Sequence, residues 1–145
     1  MIFFSSALEL ELNNNIIMNS LIVDAARDKI VLTFIVSVNI YTCSHENSKI
    51  NFDKLMILIN EFLKYNKCSL DNTNAIYVNR GPGSFAGIRN SLSTIKALFL
   101  TKKIDYYCFS FDDFKESEPT KYADVPQLCK KYKIKKNLIN PLYLS

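Results

Sequence analysis

Arg80-Gly81-Pro82-Gly83-Ser84-Phe85-Ala86-Gly87-Ile88-Arg89 contains all three glycines of the chain. Ahead of it Ala75-Ile76-Tyr77-Val78 is a β-branched and aromatic run, and behind it Leu92, Ile95, Lys96, Leu98 and Phe99 recur at helical spacing. The stretch therefore reads as a strand, a tight turn and a helix. Gly81 and Gly83 lack a Cβ and tolerate positive φ, while Pro82 fixes its own φ at about −65°. Ser84 stands where it caps the helix, whose first amides have no intrahelical acceptor and can point at an anion or a close-packed neighbour. Spacing alone leaves a rigid corner and an anion-binding turn level. It does exclude two nucleotide signatures. A P-loop needs a lysine where the chain has Ile88 and Arg89, and the dinucleotide fingerprint needs another glycine spacing and a later acidic residue.

Working outward, Leu21-Ile22-Val23-Asp24 reads as a strand, Arg27-Asp28-Lys29 as a turn, Ile30 to Val38 as a long buried strand and Asn39 to Ser44 as a third. Three strands in succession predict an antiparallel meander. Asn51 or Asp53 is expected to cap a helix on which Phe52, Leu55, Met56, Ile59, Phe62 and Leu63 follow the helical period, with Ile57 and Leu58 widening the apolar face. So wide a stripe predicts two contacts, the sheet below and something else above. Strand 75–79, helix 84–101 and the strand Tyr106-Tyr107-Cys108-Phe109 complete the order β-β-β-α-β-α-β. That is an α/β fold with a mixed sheet, the order of a single ribonuclease-H-like lobe over residues 20–110. Phe111-Asp112-Asp113-Phe114 reads as a short helix, and Asp124-Val125-Pro126 opens another running through Tyr132.

With 145 residues, 48% of them hydrophobic, the chain holds one core. From Lys115 onward seven lysines face Glu116, Glu118 and Asp124, so the tail carries the whole net charge of +4 and the body is neutral. Cys43, Cys68, Cys108 and Cys129 are widely spaced and there is a single histidine, which argues against a zinc site. Cys43 and Cys108 lie in apolar runs and are expected to be buried reduced thiols, consistent with a cytoplasmic protein. Met1 to Asn19 reads as a disordered leader, or as translation beginning at Met18, in preference to an added edge strand. Its apolar run is too short and too interrupted for a signal peptide or a membrane span.

The string Gly81-Pro82-Gly83-Ser84-Phe85-Ala86-Gly87-Ile88-Arg89, followed by Ser91-Leu92-Ser93-Thr94-Ile95-Lys96-Ala97-Leu98, resembles the signature of the TsaB (YeaZ-like) family. In that family it reads roughly GPGSFTGLR-x-G-L-x-x-A-K-G-L, so this chain departs at Ala86, Ser91 and Ile95. Asn140-Pro141-Leu142-Tyr143-Leu144 is similar to the family's terminal P-x-Y-[LIV]-[RK]. The resemblance covers residues 20–114 and the last few, and implies a lobe of the actin, hexokinase and Hsp70 architecture, with most of the second lobe absent and 111–145 left as its remnant and a basic tail. It further implies a non-catalytic, cofactor-free scaffold for tRNA threonylcarbamoyladenosine formation, with tRNA engaged only indirectly. The implied partners are a TsaD-like catalytic subunit and a TsaE-like ATPase, with a second copy of the chain as the alternative on the same helices. By match, the partner-facing residues are expected at Leu55, Met56, Ile59, Phe62, Ile88, Leu92, Ile95 and Phe99. Gly81, Pro82, Gly83, Ser84, Phe85, Gly87 and Arg89 are expected to be structural.

The wider superfamily ends its first strand in Asp-x-[ST], holding metal or phosphate between two lobes; here the positions are Asp24-Ala25-Ala26, without the hydroxyl. A buried or turn-capping Asp24 is favoured over a catalytic one. His45 falls in a polar turn, Ser44 to Ser48, and reads as solvated. Arg89 is expected to hold the corner through carbonyls or a carboxylate such as Asp24, ahead of binding an anion. Lys130 to Lys136 reads as a solvated helix end or, alternatively, as a contact for RNA phosphates. The sheet face left by the missing lobe needs a cover, for which the tail itself is a candidate.

Overall fold

The computed structural model describes residues 18–143, so the expectations for the leader and for Met1 lie outside the described residues. Five strands form one sheet in the order β3-β2-β1-β4-β5. They are β1 (Ser20–Asp24), β2 (Lys29–Val36), β3 (Asn39–Glu46), β4 (Ala75–Asn79) and β5 (Asp105–Phe109). The first three pair as an antiparallel meander, while β4 joins β1, and β5 joins β4, in parallel. Each parallel step follows a helical crossover, as a parallel pairing requires.

The first helical segment is broken. Ser48, not Asn51 or Asp53, caps α1 (Lys49–Asp53) by accepting from the Asn51 amide, and the chain restarts at Lys54 as α2 (Leu55–Tyr65). The second crossover is α3 (Phe85–Lys102), with Ser84 accepting from the Gly87 amide as expected of a cap. It stops at Lys103, which takes a left-handed φ of 59°. The turn between β2 and β3 uses Ser37 and Val38, expected as strand, and Ser37 has positive φ. β3 runs to Glu46, so His45 lies in a strand and not in a turn. Cys108 is buried, but Cys43 on edge strand β3 is only half-buried.

Period-two alternation sends Leu32, Phe34, Val23, Ile76 and Val78 to the face covered by α1, α2 and α3. The opposite face carries Ile22, Ala75, Tyr77 and Phe109, and the tail covers it with Phe114 and with Val125, Leu128 and Cys129 of α4 (Val125–Lys131). Pro126 sits in the first turn of α4, where its missing amide hydrogen is harmless. Beyond α4 the chain runs along β5: Asn137 donates its amide to the Tyr106 carbonyl at 2.7 Å, accepts the Tyr106 amide on its side chain at 2.9 Å and blunts that sheet edge. No helix of the described residues is long and apolar enough to cross a membrane.

Candidate functional site

Asp24 ends β1 beside the glycine corner, fully buried. Its Oδ1 accepts the Ala26 amide at 3.0 Å; its Oδ2 accepts Arg27 Nε at 3.1 Å and the Tyr122 hydroxyl at 2.6 Å. Arg27 also donates to Tyr122, and its guanidinium lies 4.6 Å from the centre of the Phe111 ring. Both carboxylate oxygens are thus occupied by donors from within the chain, two of the flanking side chains coming from the tail. Asp24 is a buried turn cap, and no group of three or more His, Cys, Asp or Glu among the described residues could hold a metal ion.

The glycine corner closes on the same turn. The Ser84 amide donates to the Ala26 carbonyl at 2.8 Å, and a Cβ on Gly83 would stand 2.0 Å from that oxygen. Gly81 has φ +115°, is separated from the end of β4 by Arg80 alone and precedes a cis bond to Pro82. The Asn79 side chain accepts its amide at 2.9 Å. The N-cap amide of Ser84 is therefore spent on Ala26 and that of Gly87 on the Ser84 hydroxyl, contacts that tie the start of α3 to the β1–β2 turn. Arg89 does not reach Asp24: its guanidinium lies 5.4 Å from the Phe85 ring centre, on the outer side of α3.

The expected partner-facing residues divide. Leu55, Ile59, Phe62, Ile88, Leu92 and Ile95 are all buried in this chain's own core, and Met56 and Phe99 are half-buried against it. The reason is that α1 and α2 pack on α3 as well as on the sheet, so the wide apolar stripe is consumed within the lobe. Outward-facing apolar residues on these helices include Leu100, 59% exposed on α3, Ile57, 55% exposed on α2, and Phe85, 56% exposed, beside Ile50 and Tyr65. Arg89, Leu92, Ser93, Lys96, Ala97 and Leu100 form one wall of a groove of about 410 Å³, and Ile139, Pro141 and Tyr143 of the returning chain form the other. That wall is fastened at its base. The Leu142 amide donates to the Arg80 carbonyl at 2.7 Å, Arg80 pairs with Asp113 at 2.8 Å, and Tyr143 packs on Phe85 with ring centres 4.7 Å apart. The terminal Pro-x-Tyr segment was legible as a motif, but nothing local said it would lie against α3. Arg27, Phe111 and Tyr122 carried no signal at all, Tyr122 being 98 positions from its carboxylate.

His45 and Cys43 share a side of β3, with Sγ and Nε2 3.7 Å apart, but burial pushes the Cys43 thiol up, away from the thiolate a nucleophile needs. In the basic tail, Lys131 pairs with Glu116 and Lys136 with Asp105. Burial pushes the Cys108 thiol up to about 11 and that of Cys129 to about 12; burial and then the Asp24 charge push Tyr122 up to about 12. Each group holds its proton more tightly folded than unfolded. The stability this supplies is complete below about pH 9, the unfolded thiol range, and falls as pH rises towards 12. Thermal melts should accordingly drop steadily above pH 9, and a Cys129→Ala chain should drop less steeply; a flat profile would contradict the burial of these groups.

The family described as "TsaD: tRNA N6-adenosine threonylcarbamoyltransferase" matches residues 46–110. The chain is 35% identical over 83 residues to the tRNA threonylcarbamoyladenosine biosynthesis protein TsaB of Buchnera aphidicola subsp. Baizongia pistaciae (strain Bp), covering 50% of this chain and 38% of that protein. Among solved structures it is similar to YeaZ from Pseudomonas aeruginosa, with a TM-score of 0.60, 17% identity and coverage of 64% of this chain and 44% of that one. A crystal structure of a protein from the same organism, described as uncharacterized with similarity to peptidase YEAZ, matches with the same score and identity over 43% of its length. The chain thus spans about two fifths of these relatives, and the structural likeness establishes the shared α/β lobe.

Proposed function

We propose, on the premise that this chain is TsaB/YeaZ-like, that it serves threonylcarbamoyladenosine formation in tRNA as a non-catalytic subunit paired with a TsaD-like catalytic partner. The observation that carries this reading is the apolar groove along the outer side of α3, whose α3 wall lies inside the stretch matched by the family. An exposed apolar strip flanked by Arg89 and Lys96 is suited to a partner surface that is apolar at its centre and acidic at its margin. A non-catalytic role is supported by Asp24, whose oxygens are already taken by Ala26, Arg27 and Tyr122. A second copy of the chain and a TsaE-like ATPase remain the alternative occupants of the same face.

Replacing Ile95 would test nothing, since its side chain is fully buried and a charge there would unfold the lobe. Leu100→Glu combined with Ile57→Glu changes exposed positions only. That double variant should keep its melting temperature, lose at least about tenfold in affinity for TsaD, equivalent to about 1.4 kcal/mol, and fail to support modification in cells lacking the native gene. Undiminished co-purification of the folded double variant with TsaD would sink the reading.

A further inference from the structure

On the opposite side of the sheet from the α3 groove, a cleft of about 660 Å³ opens between the sheet and α4. Its sheet wall presents Tyr77 and Tyr107, cross-strand partners whose rings are stacked at 4.9 Å with an interplanar angle of 11°. Ser20, buried on β1, lies beside them and donates its hydroxyl to the Met18 carbonyl at 3.3 Å. The tail wall supplies the Gln127 amide and the apolar side of Ile134, and Lys130 and Lys133 stand at its rim. The acidic residue of the lining, Asp124, already accepts the Lys121 amide at 3.2 Å as a cap. The lining is therefore aromatic on one side, with an amide within and cationic residues at the mouth.

The geometry points to a binding site for a nucleobase carrying a phosphate. A cleft of several hundred Å³ walled mainly by apolar and aromatic groups, with a few polar ones converging, is the form small-ligand sites take. Tyr107, the less buried of the pair and backed by the buried Tyr77 ring, offers a stacking surface that accepts any planar base. The amide of Gln127 can pair with a base edge, and Lys133 is placed to neutralise a phosphate at the mouth, where the tail's net charge of +4 raises anion concentration. A purely apolar ligand would make no use of Lys133, and inorganic phosphate would make no use of Tyr107. This site lies across the sheet from the α3 groove and is independent of the partner reading.

The test is an amide-resolved NMR titration of the ¹⁵N-labelled full chain with AMP, adenosine, ribose 5-phosphate and a short oligoadenylate. Expected are saturable shifts at Tyr107, Gln127 and Lys133 with AMP at millimolar concentrations or below, several-fold weaker binding of adenosine, and no shift at Tyr107 with ribose 5-phosphate. Gln127 and Lys133 are exposed, so Gln127→Trp, which plugs the cleft, and Lys133→Glu should melt like the parent chain while abolishing and weakening the AMP shifts respectively. Tighter binding of oligoadenylate with the same sensitivity to both variants would assign the site to an RNA strand, and equal or weaker binding to a free nucleotide. Absence of saturable shifts at these residues with either AMP or oligoadenylate, identical shifts from ribose 5-phosphate, or AMP shifts that survive Gln127→Trp would each overturn the assignment.

Discussion

Gly87→Ala should destabilise this protein by about 3 kcal/mol or more, an overpacking penalty at the upper end of the usual range. Helix propensity predicts the opposite sign: alanine within a helix is favoured over glycine by about 1 kcal/mol. The difference lies in what the new methyl group would meet. A Cβ on Gly87 would stand 1.8 Å from the Ala25 carbonyl oxygen and 3.1 Å from the Phe52 ring. Neither can yield cheaply, because Ala25 is buried in the turn that holds Asp24, and Phe52 is buried in α1. Urea denaturation of the variant should show a lower midpoint with an unchanged slope. A midpoint equal to or above that of the parent would mean that α3 does not press on the β1–β2 turn.

That contact explains what could be read in advance. The glycine corner, the succession of strands and helices along the chain and the span of α3 follow from neighbours in sequence, since a period of two or 3.6 and a capping serine are local properties. The direction an apolar side chain faces is not local when a helix has two neighbours. Ile95 and Leu92 looked available to a partner, yet α1 and α2 lie against α3 and bury them. Ser91 shows the same limit at a position where the TsaB signature has glycine. It is fully buried, and its hydroxyl donates back to the Ile88 carbonyl at 3.0 Å, so the departure is absorbed inside the helix. The helix start at Ser48 was missed because Ser48, Asn51 and Asp53 are all plausible caps, and only the backbone chooses among them. The Asp24, Arg27, Tyr122 and Phe111 cluster was invisible because it depends on where a distant tail comes to rest.

A chain ending at Ser110 should not fold, although it would contain every strand and both crossovers. Removing the tail uncovers Ile22, Ala75, Tyr77 and Phe109 and takes away Phe114, Val125, Leu128 and Cys129, which bury them. At about 1.5–3 kcal/mol for each large apolar side chain returned to water, the loss matches or exceeds the 5–15 kcal/mol by which domains are usually stable. Asp24 would at the same time lose the Tyr122 hydroxyl, leaving a buried carboxylate one strong donor short. The truncated chain should therefore collect as insoluble material, or give a collapsed amide NMR spectrum without a cooperative melt. A synthetic peptide of residues 111–145 added during refolding should restore dispersion, because the second layer need not be covalently attached to cover the sheet. A soluble, cooperatively melting 1–110 fragment would show that the tail is an appendage, and the covered face of the sheet would then need a different explanation.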